Sequence, residues 1–420
     1  MAVGLLLGAG FSYDLGMPLA SEFTKPVFDF LNTDRMKVFV DGMKNASPYG
    51  DDSPMDKKIF NDFYTIYQEF MEEHISDYEV LFHRIEALSL HDNEKNRARH
   101  FFLGKLEDII NESFLIHQMK SYTYYKINKD LYVNFLNKLC EEDAWVFTLN
   151  HDICLDMLCI DYNVPFTYGT DAKIGFPISN EDMSSSIVFD VLDANVMNIN
   201  DLNFNNSNTL KIMKLHGGLN EFNHGDEKTG RKRIVITADS CKGSADYLKN
   251  VITVWHGMQY IVNGKTVPVT GEICVSDFNG KLQFLQSSIL SGSQKYHTSL
   301  KPLEREEKMP LFSSALEKVD KLYIIGYSFR DIHINMRIQK AMYLNDKLQV
   351  IVIDPFMKKQ EILAPFDYDM RVRYANMSSP VWMDYEVTQK WDAEIKTRLD
   401  IMNKYVRREM IDNISNIFIR

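Results

Sequence analysis

Five short motifs carry residue types that could do chemistry, and each closes an apolar run. Thr148-Leu149-Asn150-His151-Asp152 follows Trp145-Val146-Phe147, and Leu215-His216-Gly217 follows Lys211–Lys214. Gly326-Tyr327-Ser328-Phe329-Arg330-Asp331 follows Leu322–Ile325, while Gly8-Ala9-Gly10-Phe11-Ser12 closes Val3–Leu7 and Asp354-Pro355 closes Val350–Ile353. A neutral imidazole such as that of His216 can take a proton near pH 7. Asn150 and Asp152 place an amide and a carboxylate directly beyond an apolar run. Gly8 and Gly10 have no β-carbons, so main-chain N–H groups there can approach an anion, helped by the positive end of a helix opening near Ser12. An acidic residue placed like Asp354 commonly accepts hydrogen bonds from a ribose. Singly, each motif also reads as ordinary structure: helix caps, a turn histidine, a turn-forming Asp-Pro. Their order and shared position after strands set them apart.

The elements that would position them are strands of a parallel sheet. Apolar runs recur at Val3–Leu7, Trp145–Leu149, Ile187–Val191, Lys211–Leu215, Ile234–Thr237, Lys321–Ile325 and Gln349–Ile353. Several are continuous rather than alternating, which suits strands buried on both faces, and open α/β sheets bind ligands beyond the carboxyl ends of their strands. From about Lys58 to Leu90, Phe60, Phe63, Tyr64, Tyr67, Phe70 and Met71 recur at helical spacing, a core stripe rather than a ligand box. The expected organisation is one α/β domain over residues 1–360, interrupted by a helical insertion at 36–142 and a mixed insertion at 239–307. A helical segment at 361–420 follows. The Asn/Asp-rich stretch Asn198–Asn206 reads as an exposed loop.

Bulk properties narrow the function. The 420 residues carry a net charge of -11, which argues against direct nucleic-acid binding through coated phosphates. The densest basic cluster, Lys228, Arg231, Lys232 and Arg233, reads as a solvated loop. Cys140, Cys154, Cys159, Cys241 and Cys274 show no C-x-x-C spacing, so they read as reduced thiols in a cytoplasmic protein, with no zinc ribbon. The apolar start has no basic flank, and no run is long enough to cross a membrane.

As an ordered set, Gly8-Ala9-Gly10-Phe11-Ser12 with Gly16-Met17-Pro18, Thr148-Leu149-Asn150-His151-Asp152, His216-Gly217, and Gly326-Tyr327-Ser328 with Asp331 resembles the sirtuin family. The chain is most similar to that family's bacterial defence branch. The resemblance covers roughly residues 1–30, 140–220 and 310–360. It implies a Rossmann-like, sirtuin-like domain that takes NAD as substrate and cleaves its nicotinamide–ribose bond. By position, Gly8, Ala9, Gly10 and Ser12, with Pro18 nearby, would hold the pyrophosphate. Asn150 and Asp152 would lie beside the nicotinamide ribose, and His216 would be the base acting on a ribose hydroxyl or on water. Gly326, Ser328 and Asp354 would contact the adenosine half. His151 reads as structural, Asp331 as the cap of the next helix, and Glu79 as a solvated residue on a helix that could cover the pocket.

Departures from the deacylase pattern shift the expected reaction. Leu19-Ala20-Ser21 stands where deacylases carry Asp-Phe-Arg, Leu149 replaces a Gln, and the zinc-binding C-x-x-C pair is absent. The expectation is therefore hydrolysis of NAD to nicotinamide and ADP-ribose by a homo-oligomeric antiphage effector. An NAD-dependent protein deacylase and a non-catalytic NAD or ADP-ribose scaffold are the alternatives. Similar stand-alone effectors work with a HerA-like ATPase; the chain has no G-x-x-x-x-G-K-[ST], so such a motor would be a separate protein.

Overall fold

The computed structural model describes residues 2–48, 53–193, 196, 198–204, 208–226, 230–239, 241–266, 272–289, 308–356, 359–368 and 370–419. Strand β1 (Ala2–Leu7) leads through the short helix α1 (Ala9–Tyr13) into α2 (Ala20–Phe30), α3 (Thr33–Lys44), α4 (Ile59–Glu72), α5 (Glu79–Glu86), α6 (Asn93–Asn128) and α7 (Val133–Cys140). Next come β2 (Asp143–Thr148), α8 (Cys154–Asp161), β3 (Phe166–Thr167), β4 (Lys173–Ser179), β5 (Asp182–Asp193) and β6 (Leu210–Lys214). The following stretch holds β7 (Glu221–Asp226), β8 (Gly230–Ile236), α9 (Ser244–Ile252), β9 (Ile261–Val262), β10 (Lys265–Thr266), β11 (Glu272–Ser276) and β12 (Leu282–Ser287). Then come α10 (Lys308–Leu316), β13 (Lys321–Ile325), α11 (Ile332–Leu344), β14 (Gln349–Ile353) and β15 (Val372–Ala375). The chain ends on α12 (Ser379–Thr388), α13 (Ala393–Ile401), the π-type turns of Met402–Arg407, and α14 (Arg408–Ile419).

The fold is α/β and Rossmann-like. Seven strands form one sheet in the order β15-β14-β13-β1-β2-β6-β3, and every neighbouring pair is parallel. Val3, Leu5, Leu6 and Leu7 of β1 are all buried, which explains its unbroken apolar run. From β1 the chain builds outward through β2 on one side and later through β13 on the other. The β1–β13 boundary is thus the switch point where ligands gather in such sheets.

Three expectations about the elements are corrected. Ile187–Val191 and Ile234–Thr237 belong to β5 and β8 of a separate six-stranded antiparallel sheet, ordered β11-β12-β7-β8-β5-β4. In β5, Ile187 and Phe189 are buried while Val188 and Asp190 are only half-buried, the alternation of a sheet with one wetter face. The segment 361–420 is not wholly helical, because β15 pairs with β14 at the edge of the parallel sheet. Finally, Arg231, Lys232 and Arg233 lie on β8 rather than in a loop, and Arg233 is buried near Glu221; Lys228 lies outside the described residues.

Two hydrophobic cores result. One surrounds the parallel sheet; the other joins α2 to α6 with Ile414 of α14. Helix α6, about 54 Å long at 1.5 Å per residue, serves both. Its Phe102, Leu106 and Ile110 pack in the helical core, and its Leu115 and Tyr125 in the sheet core. Phe114 contacts both at the junction.

Candidate active site

A cleft of about 370 Å³ opens at that junction, within the range of roughly 300–1,000 Å³ typical of ligand sites. Its floor comes from the loops after five parallel strands. These contribute Gly8, Ala9 and Gly10 after β1, Leu149 to Asp152 after β2, and His216 after β6. Gly326, Tyr327, Ser328, Arg330 and Asp331 follow β13, and Asp354 follows β14. The roof is helical: Met17 to Ser21, Phe23, Asp77 to Glu79, and Phe114. Ten of the eleven expected site residues therefore line one cleft.

Ser12 is the exception. It is buried beneath the floor, where its Oγ lies 3.2 Å from Asn150 Nδ2 and also bonds the Asp152 carboxyl. It positions the two polar side chains and does not itself line the cleft. Asn150 Nδ2 also donates to the Gly8 carbonyl at 2.9 Å, which leaves Oδ1 as the end available to a ligand. Asp152 Oδ1 accepts the Cys154 N–H at 2.9 Å and so starts α8. Burial pushes the Asp152 carboxyl above the usual carboxylate range, against the pull of Cys154, Ser12 and Lys214.

The glycine motif works differently from the expected anion cradle. Gly8 N–H donates to the Ile325 carbonyl at 2.9 Å and Gly10 N–H to the Gly326 carbonyl at 3.0 Å. Among the described residues only Ala9 of the three keeps an amide without a protein acceptor. The glycines instead permit two loops to cross. A β-carbon on Gly8 would sit 2.5 Å from Gly326 O, and one on Gly10 2.6 Å from Gly326 Cα. Gly326 has φ +61° and would place its own β-carbon 2.3 Å from Gly10 Cα.

His216 sits on a turn fixed from several sides. Gly217 has φ +72° and lies against Ser288, while Leu219 N–H donates to the His151 carbonyl at 2.8 Å. Two residues earlier, Lys214 is buried and pairs with buried Asp156 at 2.8 Å, and its carbonyl accepts from Lys308. Tyr168 and Asn220 complete the hydrogen bonding of Asp156, so the buried charges are satisfied.

Sequence reasoning missed part of the site. His151, read as structural, lines the cleft with its ring 6.5 Å from that of His216 and edge-on to Phe114 at 5.5 Å. Phe114 stacks on Phe23 at 4.1 Å to form an aromatic wall, an arrangement worth about 1 kcal/mol beyond area burial. Glu79, read as solvated, lines the roof. Asp331 does cap α11, as expected, but it also reaches His216. Only Glu79 and Asp331 carried a local signal, an acidic residue opening a helix. His151 and the aromatic pair meet only through tertiary packing.

The site thus defines a Rossmann-like protein with a strand-end cleft, a mostly apolar lining carrying a few convergent polar side chains, under a helical roof. No protein-family model matches the chain, and no curated protein matches it. No described helix is long and apolar enough to cross a membrane.

Proposed function

We propose that the chain is an NAD glycohydrolase that cleaves the nicotinamide–ribose bond to give nicotinamide and ADP-ribose. One observation carries the reading: Asn150 and Asp152 after β2 and His216 after β6 meet Ala9 after β1 and Asp354 after β14 in a single cleft at the sheet's switch point. The similarity of the ordered motifs to sirtuins supplies the substrate class.

In this reading NAD is the substrate. The adenosine half lies toward Gly326, Ser328 and Asp354, with Ala9 N–H near the pyrophosphate. Asn150 Oδ1 and the Asp152 carboxyl face the nicotinamide ribose, where positive charge builds as the C1′–N bond breaks. The bonding pair leaves on the nicotinamide nitrogen and neutralises its pyridinium charge. A water oxygen forms the new C1′–O bond, and its proton passes to His216. The aromatic wall of Phe23 and Phe114 excludes bulk water from the roof side. We further propose a cytoplasmic, homo-oligomeric effector that depletes NAD in antiphage defence, working with a separate HerA-like ATPase.

Purified protein, with its activator where one is needed, should release nicotinamide from NAD with no peptide present. A requirement for an acylated peptide would favour deacylation instead. His216→Ala and Asn150→Ala should each cut release by about 10²-fold or more. Asn150→Ala should also cost about 1–3 kcal/mol of stability, because its buried bonds to the Gly8 carbonyl and Ser12 Oγ are lost, so turnover is measured where that variant is fully folded. Undiminished turnover in both variants would sink the assignment.

A further inference from the structure

The acidic cap of α11 also lies against His216. Asp331 Oδ2 lies 3.0 Å from His216 Nε2, and the two side chains are 7% and 5% exposed. The other carboxylate oxygen, Oδ1, accepts the N–H groups of His333 at 2.9 Å and Ile334 at 3.1 Å. The backbone of Asp331 is fixed as well. Its N–H lies 3.2 Å from the Tyr327 hydroxyl, whose oxygen is also 3.0 Å from the Asp331 carbonyl. A carboxylate held this way cannot swing away from the imidazole without breaking the cap.

We propose that Asp331 is the positioning residue of His216, selecting its tautomer and making Nδ1 the basic nitrogen. This rests on the proposed hydrolase activity. An ionised carboxylate only accepts hydrogen bonds, so Nε2 facing it carries the ring proton and the lone pair lies on Nδ1. When Nδ1 takes a proton from the nucleophile, the resulting imidazolium has a buried counter-charge already in place. At 3.0 Å the Nε2–Oδ2 pair is in ion-pair contact, but it is not an aligned hydrogen bond. Such contacts commonly tighten only when a ligand seats.

Asp331→Asn and Asp331→Ser test this, because both keep an oxygen that can cap α11 while removing the carboxylate. The expected result is a fall in kcat for NAD of about 10²-fold, with KM within about twofold and an unchanged urea midpoint. Two-bond nitrogen–proton NMR spectra of protein labelled at histidine give a readout that needs no turnover. The His216 resonances, assigned by their loss in His216→Gln, should show the Nε2–H tautomer in wild type and lose that preference in Asp331→Ser. An unchanged tautomer in Asp331→Ser, or wild-type kcat in both variants, overturns the pairing. The expected tautomer shift in a protein that leaves NAD intact supports the pairing and overturns the proposed activity alone.

Discussion

At the residue scale, burial decides what a polar side chain can do. His117 on α6 is fully buried, and neither ring nitrogen has a hydrogen-bond partner among the described residues. Burial, with the nearby charge of Arg407, pushes it down to about 3. An unfolded histidine titrates near 6.5, so between about pH 6.5 and 3 the unfolded chain binds a proton that the folded chain refuses. Folding stability should therefore fall with pH across this window, by up to about 1.4 kcal/mol per pH unit from this group alone. His117→Leu should show a shallower decline in urea midpoint between pH 6.5 and 4.5. Parallel curves for the two proteins would rule the effect out. Asn150 and His216 were legible because each follows an apolar run, and a strand end is a local pattern. The second role of Asp331 was not, because capping α11 is local while reaching His216 depends on β6 and β13 ending at the same edge.

At the element scale, the loops after β1 and β13 are bound to each other before they can bind anything else. The spacing Gly8-x-Gly10 announced a tight turn correctly, but the glycines' neighbour could not be read from it: Gly326 is more than 300 positions away in sequence. Gly326→Ala should destabilise by about 3 kcal/mol or more, combining left-handed strain with a backbone clash against Gly10. Gly264, in the β9–β10 turn, provides the control: it has φ +71° but open space around its β-carbon position. Gly264→Ala should cost only about 1 kcal/mol. Urea titrations of the two variants separate strain from close approach, and equal losses would refute the crossing. The parallel strands were legible from continuous apolar runs. The second sheet was not, because a run of five apolar residues suits a strand in either sheet and only the pairing partner tells them apart.

At the scale of the whole molecule, the cleft lies between two cores, and its roof must be held at a fixed height over the floor. Asp77 and Arg330 face each other across the rim at 3.7 Å, but Arg330 is 66% exposed, so this pair contributes at most about 1 kcal/mol. Arg407, from the far end of the chain, is the stronger fastening. Its buried guanidinium donates to the Tyr13 carbonyl at 2.8 Å, the Met17 carbonyl at 2.8 Å and Glu22 Oε2 at 2.7 Å, and it stacks on the Tyr13 ring at 3.7 Å. Glu22 in turn accepts the Leu19 N–H at 3.1 Å, so one cation fixes the whole turn from Tyr13 to Glu22. Met17 to Ser21 of that turn line the cleft. Arg407→Ala should lower stability by about 2–3 kcal/mol, less than a fully buried pair would lose because Glu22 keeps contact with water. It should also raise KM for NAD several-fold with a smaller change in kcat, since the roof loosens while Asn150, His216 and Asp331 stay on the sheet. A lower urea midpoint with unchanged KM would leave Arg407 a purely structural role and detach the C-terminal helices from the function of the cleft.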